Sequence, residues 1–162
     1  EFDYAVDKFG EVCDLARQFN LSVDLEYVPI AAVRTLAQAV DVLRKANRDN
    51  AGLMIDTHHF HRAGDDPNDL AGLPKEWFHF AHICDAPAEI PTDKVEMTRI
   101  LREARLYLGE GGIDVAGIVG KCPPMVYSIE LPHLARAREM GYAEHAFRCI
   151  ESAKAYFAGK QS

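Results

Sequence analysis

Four short apolar runs, LSVDLE, AGLMID, WFHFAHIC and MVYSIE, punctuate the chain, and each stops on or beside a carboxylate or an imidazole. Between them lie longer segments with apolar residues at helical spacing. Residues 3–19 line up Ala5, Val6, Phe9, Val12, Cys13, Leu15, Ala16 and Phe19 on one face, with Asn20 as the stop signal. Residues 32–47 do the same with Val33, Leu36, Ala37, Val40 and Leu43, and residues 142–158 with Ala146, Ile150, Ala153 and Phe157. A shorter helix is expected within GIDVAGIVGKC, opened by Gly112 and Asp114, and PNDLAGL reads as a short helix at most. Strands that are apolar on both faces belong inside a parallel sheet covered by helices, and strands alternating with helices build βαβ units. The expectation is an α/β fold with parallel strands.

Composition narrows the function classes. The chain has 162 residues, 48% of them apolar and 27% charged, in the range of a single globular domain. A net charge of −7 without a basic run argues against nucleic-acid partners, which need a clustered cationic footprint, and against an anionic membrane surface. No apolar run is long enough to span a bilayer. Cys13, Cys84, Cys122 and Cys149 are far apart in sequence with no Cys-x-x-Cys pair, which suits reduced thiols and a cytoplasmic location better than a disulfide framework.

The chemistry lies at the strand ends. The first run closes on Glu26, the second on Asp56, the third on His82 and Cys84, and the fourth on Glu130. In a parallel sheet or barrel these positions share one rim, where α/β proteins build their sites. Any one of them alone is more simply a helix cap, a solvated loop residue or a core histidine. Together, three carboxylates in one cleft would repel each other unless a cation lay between them. Oxygen ligands with one imidazole suit Mn²⁺, Co²⁺ or Mg²⁺, with Zn²⁺ also possible.

The stretches LEYVP, GLMIDTHHFHRAG, FAHICDAP, ARLYLGEGGID and YSIELP occur in this order over nearly the whole chain. In these motifs the sequence resembles the xylose isomerase-like TIM-barrel superfamily, which includes sugar phosphate isomerases, epimerases and related dehydratases. The resemblance implies that Glu26, Asp56, His82 and Glu130 hold one divalent metal ion, and that Glu26 and Glu130 are the catalytic base and acid. It gives His59, the histidine of Asp-x-x-His, and Arg105 the role of binding substrate oxygens. The implied reaction is isomerisation or epimerisation of a small polyhydroxy carbonyl compound by proton transfer through a metal-stabilised enediolate. Dehydration of a keto-polyol or a 3-dehydroshikimate-like substrate is the alternative, because the same intermediate can expel a β-hydroxyl. The related abasic-site endonucleases need a further Asp-x-His pair before the last glutamate, and no histidine lies between His82 and Glu130. Where the family commonly carries a proline before its Gly-x-Gly turn, this chain has Leu108. His58 and His61 inherit no role and are expected in a loop or behind the ligands. Asp85 is expected to be a structural hydrogen-bonding residue and Cys84 a packing residue.

A full barrel of this kind has eight βα units in about 250 residues. Residues 1–162 are therefore expected to form a single domain, the C-terminal half of a barrel with about the last four βα units. Open strand edges and helix faces meant for the other half should lead the chain to associate with that half or, as a dimer, with a second copy. A non-catalytic fold fragment that only assembles is the competing reading from another class.

Overall fold

The computed structural model describes residues 2–160 and contains the expected parallel sheet. In chain order the elements are α1 (Phe2–Arg17), β1 (Val23–Glu26), α2 (Leu36–Ala46), β2 (Ala51–Asp56), α3 (Thr57–Ala63), β3 (Phe80–Ile83), α4 (Lys94–Glu103), α5 (Val115–Val119), β4 (Val126–Ile129), α6 (Leu134–Met140) and α7 (Tyr142–Gly159). Single 3₁₀ turns cover Pro67–Leu70 and Lys75–Trp77. The strands run parallel in the order β1-β2-β3-β4. This is part of a barrel, with the sequence order preserved across the sheet.

Register sorts the side chains. Glu26 pairs with Met54, Asp56 with His82, and His82 with Ser128, so these residues share one face. The opposite face carries Leu53, Ile55, Ala81 and Ile83, all buried in a core with Val42, Leu43, Val115 and Ile118 from the helices. β2 is buried along its whole length, as expected for a central strand. β4 begins exposed, with Val126 at 70% accessibility, because it has no neighbour on its far side among the described residues.

Helix boundaries follow their caps. Thr35 Oγ1 accepts a hydrogen bond from Gln38 N to open α2, and Asn47 closes it in the left-handed region at φ 49°. α2 thus begins four residues later than the apolar period from residue 32 suggests, because Thr35 supplies the cap. The first helix and the second strand fall close to their expected places. Three helices were not expected: α3, α4 and α6. α3 opens with Thr57, three histidines and Phe60, which have modest helical propensity, and it stands on its caps, Asp56 and Gly64 (φ 72°). α4 has a short apolar period, Met97, Ile100, Leu101 and Ala104, of which only Ile100 is fully buried, and it starts at the Asp93 cap. No helix among the described residues is long and apolar enough to cross a membrane.

Candidate metal centre

The four strand ends converge. Glu26, Asp56, His82 and Glu130 each offer one ligand atom, and these atoms lie within 4.8 Å of one another. His82 Nδ1 sits between the two outer carboxylates, 3.5 Å from Glu26 Oε1 and 3.4 Å from Glu130 Oε2. Asp56 serves two purposes with its two oxygens. Oδ1 accepts from His58 N at 2.7 Å as the N-cap of α3, which fixes the carboxylate plane and leaves Oδ2 facing the cluster. The helix-cap reading and the ligand reading of Asp56 are therefore compatible.

The donor set fits a hard or borderline divalent cation. Glu26 Oε1 and His82 Nδ1 are buried atoms with no hydrogen-bond partner, and the buried Glu130 Oε2 has the Arg105 guanidinium 3.0 Å away. A native fold rarely leaves two such atoms facing one point unless something else satisfies them. Their charge environment agrees. Burial, followed by repulsion from Asp56 and Glu130, pushes the Glu26 carboxyl up to about 6. Burial also raises Glu130, helped by its contact with Asp56 and opposed by Arg105 and His82. A divalent cation at this point would favour the ionised form of both carboxyls.

Around this centre, His59 and Arg105 are both at hand. His59 is buried on α3, one turn beyond Asp56, with Nε2 3.5 Å from Asp56 Oδ2 and 3.8 Å from Glu26 Oε1. Burial, and then the charge of Arg105, pull its pKa down to about 3, so the imidazole is neutral at physiological pH. Arg105 is only 3% exposed, and its Nη1 donates to Asp56 Oδ2 at 2.7 Å and to the Glu130 main-chain carbonyl at 3.1 Å. In this structure it touches the carboxylates of the cluster. His58 and His61 lie on α3 rather than in a loop, and His58 is fully buried behind His59, with the rings edge to face at 5.5 Å.

Leu106, the residue after Arg105, pairs with Asp85. Its carboxylate accepts four backbone N–H bonds, from Ala86, Gly109, Gly111 and Ile113, at 2.8–3.0 Å. The glycine-rich LGEGG stretch thus wraps an internal carboxylate. Gly111 has no room for a side chain, since a Cβ there would overlap Ala86 O and Asp85 Oδ1. Leu108, where the family commonly has proline, is buried in the core. Thr57 is a further support that the sequence did not single out: its hydroxyl bridges Cys84 N and O across β2 and β3. A threonine directly after a strand-final aspartate was its only signal. Cys84 itself is buried, with its sulfur 3.5 Å from Arg105 Nη1.

Parallel strands whose C-terminal ends gather three carboxylates and an imidazole define an α/β-barrel protein with a candidate metal centre. A family model described as xylose isomerase-like TIM barrel matches residues 1–151, and the chain belongs to that family. It is 28% identical over 142 residues to an inosose isomerase of Bacillus subtilis, covering 86% of this chain and 44% of that protein. It is 37% identical over 87 residues to a 3-dehydroshikimate dehydratase of Pseudomonas aeruginosa, covering 54% of this chain and 13% of that one. Among solved structures, the IOLI protein with a bound zinc atom superimposes with a TM-score of 0.77 at 25% identity, covering 98% of this chain and 55% of that chain. The chain spans less than half the length of the curated relatives it matches.

Proposed function

We propose that this chain carries the metal-binding, proton-transferring part of an isomerase or epimerase acting on a small polyhydroxy carbonyl compound, of which an inosose is one example. The observation that carries this reading is the convergence of four ligand-type atoms within 4.8 Å, two of them, Glu26 Oε1 and His82 Nδ1, buried without a hydrogen-bond partner. A divalent cation held by Glu26, Asp56, His82 and Glu130 supplies Lewis-acid polarisation of a carbonyl and its neighbouring hydroxyl. Glu26 and Glu130 flank His82 on opposite sides, and both have raised proton affinities. They are suited to remove a proton from the carbon beside the carbonyl and to return it elsewhere. Neutral His59 can hydrogen-bond a substrate oxygen without adding charge, and Arg105 can supply a positive donor. The free cysteines fit a reducing, cytoplasmic setting.

Dehydration is a second reading, favoured by the similarity to a 3-dehydroshikimate dehydratase. The two share proton abstraction and differ in whether the resulting enediolate is reprotonated or expels a β-hydroxyl. Calorimetric titration of Mn²⁺ into the chain and into Glu130→Gln tests the centre: binding by the first and its loss in the second is the expected result. Absence of heat in both would return the chain to the status of a fold fragment that only assembles. NMR in D₂O with a panel of inososes, ketoses and 3-dehydroshikimate separates the two reactions, since deuterium uptake at carbon reports abstraction and loss of water reports elimination.

A further inference from the structure

A buried guanidinium pointing into a cation site competes with the cation for the same oxygens, since both carry positive charge. Arg105 is in that position, and the backbone holds it there. The segment 104–107 is inserted between the continuations of β3 and β4. Arg105 N donates to Pro132 O at 3.1 Å, Leu106 N donates to Asp85 O at 2.8 Å, and antiparallel bridges form at Asp85–Leu106 and Ala104–His133. Along the side chain, Nε donates to Leu101 O at 3.0 Å, so the stem is anchored before it reaches the cluster. Nη1 then lies 2.7 Å from Asp56 Oδ2 and 3.0 Å from Glu130 Oε2. The cluster is divided. Asp56 and Glu130 already have a positive neighbour, whereas Glu26 Oε1 and His82 Nδ1 are buried with no hydrogen-bond partner.

We infer that Arg105 is a resident counter-cation of this site. It holds the Asp56 and Glu130 oxygens while no divalent ion is bound, and it gives them up on loading, which frees its Nη1 donors for substrate oxygens. The inference rests on the reading that the cluster binds a divalent ion, and adds two properties to it. Arg105 weakens ion binding instead of supporting it, and recognition of substrate oxygens by Arg105 follows ion loading. The geometry makes the release local. The main chain stays on Pro132 and Asp85, so only the side chain has to turn; the planar guanidinium moves as one unit, and its bonds to Leu101 O and Glu130 O loosen with it. Asp56 also keeps its orientation, because Oδ1 remains on His58 N.

The test is Mn²⁺ affinity, measured by calorimetry on the metal-free chain, for the wild type, Arg105→Gln and Arg105→Lys. Removing a full charge a few ångströms from a divalent ion in a half-buried site should tighten binding by about tenfold or more. Lysine keeps the charge and should stay within about threefold of the wild type. Unchanged or weaker binding by Arg105→Gln overturns the inference, because a purely structural bridge would loosen the ligands when removed. If Arg105→Gln does not melt cooperatively, the wild type decides. Side-chain NMR signals of the Arg105 guanidinium should shift along the Mg²⁺ binding curve, and signals that stay fixed through saturation overturn the inference. No ion binding by any folded variant removes the metal-site reading together with this inference. Ion binding that is indifferent to residue 105 removes the inference alone.

Discussion

Replacing Glu26 by glutamine should stabilise the ligand-free protein while destroying the centre. Glu26 Oε1 is buried without a hydrogen bond, and burial with the nearby Asp56 and Glu130 charges raises its carboxyl from 4.5 to about 6. At 1.36 kcal/mol per tenfold change in proton affinity, keeping this group ionised costs the fold about 2 kcal/mol. The side chain retains 28% accessibility, so solvent screening reduces the expected figure to about 1–2 kcal/mol. The sign follows from linkage. Between pH 4.5 and 6 the folded state binds more protons than the unfolded state, so stability falls as pH rises through this window and stays low above it. Glutamine resembles the protonated carboxyl and has no such penalty. Urea unfolding in EDTA should therefore find Glu26→Gln more stable than wild type by about 1–2 kcal/mol at pH 8, with the gap closing near pH 4. A variant less stable than wild type at pH 8, or a gap that does not vary with pH, would refute the argument that this carboxylate is held at a cost for binding a cation.

Further outcomes follow from the same geometry. Saturating Mn²⁺ at about 100 times its dissociation constant should raise the unfolding free energy of the wild type by about 2.7 kcal/mol, and Glu130→Gln should show none of this gain in thermal melts. Asp85→Ala leaves four backbone N–H groups without their acceptor. Urea titration should find a loss of about 3 kcal/mol or more, and a loss below 1 kcal/mol would contradict the central role given to this carboxylate. The exposed edge of β4 at Tyr127, which shares an apolar groove with Tyr142 and Ile150 of α7, should bring two copies together at high concentration. Light scattering that gives a monomer mass throughout would count against this.

The strand ends were legible because each signal is local: an apolar run sets the strand, and its period of two puts Glu26, Asp56, His82 and Glu130 on the same face once register is fixed. α3 was hidden for the opposite reason. Its sequence, THHFHRA, favours neither helix nor any other state, and the helix exists because Asp56 caps it in the place where β2 ends. Arg105 shows a further limit. Its motif gave it a place near the substrate, but its position between Asp56 and Glu130 depends on residues 104–107 fitting between two strand continuations more than twenty residues away on either side. The glycines of LGEGG are explained in the same way, by Asp85 arriving from another strand to be wrapped. The residues that would bind an ion can thus be read along one dimension, one strand at a time. The residues that would regulate its binding are brought in by tertiary contacts, so the balance between Arg105 and a divalent ion emerges only from the folded site.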